Sequence, residues 1–226
     1  MLLEVIATSL DDALAAEDGG AGRLEIVHDL ERGGLTPPMA LVEAILARVQ
    51  IPIRVMVREE EPFIPTAPAV IEAMTAHVRD FATLPVDGIV VGILDPARRV
   101  DGVMLRRVLQ PASGVGVTFH RAFEDVADQA DAIDMLVRES AVDTVLTSAG
   151  PGLWTDRLDR LRTIARRAGP GFRVLAAVGV DRAVIDAFDS SWPFDIHVGR
   201  AARDPERNDA PVSARRVRHL ASQLRG

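Results

Sequence analysis

Short apolar, β-branched runs alternate along the chain with longer segments in which apolar positions recur every three or four residues. This is the pattern of parallel strands joined by crossover helices. The runs predict strands at Leu3–Ala7, Arg23–Ile26, Ile53–Val57, Gly88–Gly92, Gly116–His120, Thr144–Thr147, Val174–Ala177 and Ile196–Val198. The periodic segments predict helices around Ser9–Glu17, Met39–Val49, Val70–Leu84, Val103–Leu109, Asp128–Glu139, Trp154–Ala168 and Asp181–Phe188, with a last one in the tail. Thr8 or Ser9 is placed to cap the first helix, while Gly19-Gly20, Pro52, Pro85, Gly114 and Gly169-Pro170-Gly171 supply stops before strands. Eight βα units in 226 residues leave roughly 28 residues each, the spacing of a compact (βα)8 TIM-type barrel in the α/β class. A doubly wound open sheet is the rival, but Ala7-Thr8-Ser9-Leu10 after the first strand lacks its glycine fingerprint. No linker separates two periodic halves, and the Pro-rich Glu59–Pro68 reads as a long loop, so residues 1–226 form one domain.

Two strands break the apolar pattern: Glu4 sits inside Leu3-Glu4-Val5 and Glu25 inside Leu24-Glu25-Ile26. A lone carboxylate in a dry interior costs several kcal/mol, so these groups require cations, a metal or a wet barrel mouth. Arg58 ends the third strand and His120-Arg121 the fifth. Closing the barrel would bring Glu4, Glu25, Arg58 and His120 to one cavity; a buried ion network that only fixes strand register is the structural alternative. Arg54 has the strand parity of Arg58 but lies toward the opposite end, as a structural partner at the barrel bottom.

Composition narrows the function. With 33 Asp+Glu against 26 Lys+Arg and a net charge of -7, neither nucleic acid nor an acidic membrane is an expected partner. The basic tail, Arg215 to Arg225, fits the solvated face of a helix whose apolar side carries Val217, Leu220 and Leu224. No apolar run is long enough to span a membrane. Glu4 falls where a secretion signal would be basic and then apolar, so a cytoplasmic location is expected. Zero cysteines exclude disulfides, thiolate catalysis and thiolate metal sites.

Further motifs follow the strands. Gly33-Gly34-Leu35-Thr36-Pro37 follows the second, Val55-Met56-Val57-Arg58 ends the third, Thr118-Phe119-His120-Arg121-Ala122-Phe123 spans the end of the fifth and Thr147-Ser148-Ala149-Gly150 that of the sixth. With Leu3-Glu4-Val5 in front and Ile196-His197 near the end, the chain resembles the CutC family over nearly its whole length. The resemblance implies a TIM-type barrel, often dimeric, associated with copper tolerance and copper binding, with a polar cavity at the strand C-termini. The matching positions are Glu4, Glu25, Arg58, His120, Arg121, Thr147, Ser148, Gly179 and His197. Departures accompany them. Ile6 and Val27 stand where family members commonly carry cysteine, Glu59-Glu60-Glu61-Pro62 replaces Pro-Arg-Gly-Gly, Ala176-Ala177-Val178-Gly179 replaces Pro-Gly-Gly-Gly, and His197-Val198-Gly199-Arg200 replaces His-x-Ser-Ala.

Each candidate has a plainer alternative. His120-Arg121 suits proton transfer and anion binding, or a histidine satisfied by a nearby carboxylate. Thr147-Ser148 offers hydroxyls to a substrate or caps the next helix. Gly179 and Gly199-Arg200 lie where barrels bind phosphate, or are turn residues. His28-Asp29 is a candidate metal or acid–base pair or else loop polarity, and Met56, Met74, Met104 and Met135 fit core filling better than thioether copper ligation.

Three functions remain open. A metal-homeostasis protein would need a copper(II) or zinc site built from His120, His197, carboxylates or Met, because no thiolate copper(I) site is possible. An acid–base enzyme acting on a small anionic or phosphorylated metabolite would use Glu4, Glu25 and His120 in catalysis, with Arg58, Arg121, Thr147, Ser148, Gly179, Gly199 and Arg200 binding substrate. A homodimeric scaffold without chemistry is the third.

Overall fold

The computed structural model describes residues 1–112, 114–177 and 192–224. Eight parallel strands close in chain order into a barrel: β1 Leu3–Ala7, β2 Arg23–Ile26, β3 Ile53–Met56, β4 Gly88–Val91, β5 Gly116–Phe119, β6 Val142–Thr147, β7 Arg173–Ala177 and β8 Asp195–Val198. The described helices are α1 Leu10–Gly19, α2 Met39–Leu46, α3 Pro68–Phe81, α4 Gly102–Leu109, α5 Gln129–Arg138, α6 Trp154–Ala168 and α7 Ala214–Gln223. The expected helix Asp181–Phe188, and Gly179, lie outside the described residues. No described helix is long and apolar enough to cross a membrane.

Period-two alternation sorts the strands into two cores. Val5, Leu24, Ile26, Val55 and Ile89 face outward into the main core shared with the helices. Ile6, Val27, Met56 and Val90 form a separate, smaller cluster, each two residues beyond an inward-facing position. Register puts Glu4 beside both Arg23 and His197, and Glu25 beside Arg54. The charged strand residues therefore all point into the barrel.

At the barrel's N-terminal end Arg54 lies across the interior. Its Nε donates to Asp87 at 2.9 Å, Nη1 to Thr118 at 2.7 Å, and Nη1 and Nη2 to the two Asp143 oxygens at 2.7 and 2.8 Å. A Cβ on Gly88 would lie 2.5 Å from the Gly116 carbonyl oxygen, and one on Gly116 2.7 Å from Arg54 Nη2. The absent side chains are what make room for the arginine. Strand β6 starts two residues earlier than the apolar pattern predicts, because a register shift at Val117/Thr118 lets Asp143 reach Arg54.

The loops carrying the mouth are pinned by local polar contacts. Ser9 caps α1, its Oγ accepting from the Asp12 backbone at 3.1 Å. Buried Asp12 accepts from Arg203 Nη2 at 3.0 Å and from the Val212 backbone at 2.9 Å, fixing the segment after β8. Thr147 and Ser148 do not cap α6, which starts at Trp154. The tail helix α7 packs on α1 with Val217 so close to Gly19 that a Cβ there would come within 2.4 Å, and Arg218 pairs with Asp18 at 2.8 Å.

Candidate active site

A cavity of about 980 Å³ opens at the C-terminal ends of the strands. Of the residues singled out in the sequence, Glu25, Arg58, His120, Arg121, Ser148, His197, Gly199 and Arg200 line it. Glu4 does not. It lies below, 1% exposed, and acts on the cavity through its neighbours. Thr147 faces away, its hydroxyl donating to Glu124 at 2.6 Å.

The cavity floor is charged. Arg23 Nε donates to Glu4 Oε2 at 2.5 Å, Glu4 Oε1 accepts from His197 Nδ1 at 2.7 Å, and His197 Nε2 lies 3.8 Å from Glu25 Oε2. Burial would raise the Glu4 carboxyl, but the hydrogen bond from His197 and the charge of Arg23 outweigh it and bring it down to about 2. Burial works the other way for His197, yet Glu25 and Glu4 together raise its pKa and so favour the protonated ring. Glu25 has no such direct grip: burial pushes it up to about 7, against the pull of His197. Its Oε1 is buried and has no partner among the described residues.

His120 faces the same cavity with the opposite chemistry. Its Nδ1 accepts from the Ala122 backbone N–H at 3.0 Å, which places the proton of the neutral ring on Nε2. Burial, reinforced by the positive charge of Arg58, drives its pKa down to about 3. Nε2 is a buried donor without a partner among the described residues. A Cβ at Gly92 would lie 2.4 Å from the His120 ring, and Phe63 covers the ring at 5.0 Å between centroids.

Arg58 is largely occupied. Nε donates to the Glu60 carbonyl at 3.1 Å, Nη1 to those of Gly33 and Gly34 at 3.2 Å, and Nη2 to that of Glu61. It clamps the loops after β2 and β3 together. Arg121 and Arg200 line the cavity from exposed positions and form no ion pair among the described residues. Ser148 donates from Oγ to Glu124 at 2.8 Å and accepts from the Gly150 backbone at 3.2 Å, so its hydroxyl is committed to the loop.

Sequence reasoning missed Arg23, Glu124, Arg157 and Gly92. Arg23 opens a strand and Arg157 sits on an amphipathic helix, where a charge is unremarked. Glu124 carried a signal, following directly on the Thr118–Phe123 motif.

Glu4, Glu25 and His197 bring three potential ligand atoms within 4.8 Å of one another, but they do not fit a copper ion. Glu4 is paired with Arg23 and with His197 Nδ1, and the His197 ring stands between the two carboxylates with only Nε2 facing Glu25. His120 does not join this group, and its Nδ1 is taken by the backbone. Met56 offers only a thioether.

Fold and site together define a (βα)8-barrel protein with a cavity lined by carboxylate, arginine and histidine side chains at the C-terminal ends of its strands. The CutC family profile matches residues 1–191, and the chain belongs to the CutC family. A "family protein CutC" of Xanthomonas campestris is 35% identical over 187 residues, covering 83% of this chain and 78% of its own. A Mesorhizobium japonicum relative of the same description is 33% identical over 184 residues, covering 81% of this chain and 71% of its own. The crystal structure of a copper homeostasis protein CutC from Streptococcus agalactiae superposes with a TM-score of 0.79 at 21% identity, covering 88% of this chain and 98% of that one. Orotidine 5'-phosphate decarboxylase from Pyrococcus horikoshii shares the barrel at a TM-score of 0.63 and 14% identity, covering 99% of both chains.

Proposed function

We propose that this CutC-family barrel is an enzyme performing general acid–base chemistry on a small anionic metabolite. The observation that carries the reading is the buried Oε1 of Glu25, unpartnered among the described residues, on a carboxyl held near neutrality at the base of a cavity large enough for a metabolite. Arg121 and Arg200 supply cationic groups at the rim, and guanidinium groups grip carboxylate or phosphate in pairs of hydrogen bonds. Arg58 supports the rim by clamping its loops.

The copper homeostasis named for the Streptococcus agalactiae relative supplies a second reading, in which this chain also serves copper homeostasis. The lack of cysteine and the occupied floor favour a part played through a small molecule over storage of the ion. A thermal-shift screen of carboxylated and phosphorylated metabolites tests the enzyme reading. At least one should stabilise the wild type more than Arg121→Ala; equal responses across the whole set would reject it.

A further inference from the structure

Two buried polar atoms in this cavity lack partners among the described residues, and they have opposite hydrogen-bonding character. Glu25 Oε1 belongs to an acid–base group, whereas His120 Nε2 is a fixed neutral donor. A ligand that presents an acceptor to His120 and a removable proton to Glu25 satisfies both. Ile6, Met56, Leu146 and Phe63 form apolar wall between the charged groups, suited to a short carbon skeleton and to excluding water. Ser148, whose hydroxyl is held by Glu124, is not placed as a nucleophile.

We propose that the reaction in this cavity begins by removing a proton from the carbon next to a carbonyl of a small 2-oxo acid or phosphorylated ketone. Glu25 takes the proton, and His120 Nε2–H holds the carbonyl oxygen. This rests on the acid–base reading above. The α-C–H bond breaks and its proton passes to the Glu25 carboxylate. Its electron pair forms the new C=C bond, and the carbonyl π pair moves onto the oxygen, which accepts the His120 hydrogen bond. Return of a proton to the same carbon completes an exchange; where that carbon carries a hydroxyl, as in a phosphorylated hydroxyketone, passage of the hydroxyl proton to the enolate oxygen and protonation of the former carbonyl carbon complete an isomerisation, and no other reactant is needed. A neutral imidazole suits this role because it donates without ionising, and oxyanion donors act best when fixed in advance. Arg121, whose charge bears on Glu25, His197 and His120 alike, anchors the anionic group.

The test incubates the full chain in D2O with pyruvate, 2-oxobutyrate and dihydroxyacetone phosphate, follows loss of α-proton signals by NMR, and measures binding of the same probes by calorimetry. At least one probe should exchange faster than in buffer. Glu25→Gln should slow that exchange about 100-fold or more with little change in binding, since an acid–base group contributes about 10²–10⁴-fold. His120→Gln, which keeps a neutral donor, should retain more exchange than His120→Ala. Binding weakened by Arg121→Ala but without exchange would overturn the proposal and leave the anion pocket standing; neither binding nor exchange would overturn both. Should the His120 variants not fold, the wild-type ¹⁵N spectrum decides: His120 should remain the neutral Nε2–H tautomer from pH 8 to 5, and an imidazolium at pH 6 would overturn the proposal.

Discussion

Oε1 of Glu4 accepts a hydrogen bond from Nδ1 of His197 at 2.7 Å, both side chains buried. This contact joins two halves of a column in which charge alternates: Asp143, Arg54, Asp87, Arg23, Glu4, His197 and Glu25. Successive members lie 2.7, 2.9, 3.8, 2.5, 2.7 and 3.8 Å apart. Each interior member is flanked by the opposite sign, which offsets the cost of removing it from water. Glu25 ends the column with a neighbour on one side only and the cavity on the other.

Stability should therefore fall with rising pH in a window that Glu25 sets. The folded protein keeps the Glu25 proton up to about 7, whereas the unfolded chain releases it near the ordinary value of 4.5. Between those values the folded state binds more protons, so its stability declines. His197, with a raised pKa, adds to the decline above its ordinary value of 6.5. Glu4, depressed to about 2, contributes stability above 4.5 that is lost as pH falls toward 2. Glu25→Gln should remove about 2–3 kcal/mol of the decline between pH 4.5 and 7.5 in urea titrations. A variant whose decline matches the wild type would refute this.

Breaking the column at Glu4 should cost more than removing the pair. Glu4→Gln leaves Arg23 buried with a neutral neighbour, and the expected loss is about 3–5 kcal/mol. The double variant Glu4→Gln, Arg23→Met should recover part of it. Additive losses in denaturant titrations would mean that the two side chains are energetically independent.

Gly92 should prove specific to the site. Gly92→Ala forces His120 off its seat, at a cost of about 1–3 kcal/mol for overpacking, and should abolish ligand-induced thermal stabilisation while the protein stays folded. A variant that responds to ligands as the wild type does would separate His120 from binding.

Copper chemistry should be weak. Calorimetric titration with copper(I) under reducing conditions is expected to show no stoichiometric uptake, there being no thiolate in the chain. Tight one-to-one binding would show that the floor rearranges to release His197 and Glu4.

Much of this was legible in the sequence, for identifiable reasons. β1 and β2 fall where their β-branched runs predict, and Glu4 and Glu25 stood out because a carboxylate is anomalous in an apolar strand. Asp143 lies one residue before the strand that the apolar pattern predicts, and only the register shift and Arg54 explain its place in β6. Arg58 reads from sequence as an anion binder, and spacing cannot reveal that carbonyls of two loops take its N–H groups. Gly88, Gly92 and Gly116 look like ordinary strand residues until the register shows which side chain crosses above each one.

The most direct test of the account is the titration of the Glu25 carboxyl itself, followed by ¹³C NMR in side-chain-labelled protein and assigned by its loss in Glu25→Gln. The structure predicts a midpoint near 7. A midpoint at or below 4.5 would show a carboxylate satisfied like any other and would contradict the acid–base cavity.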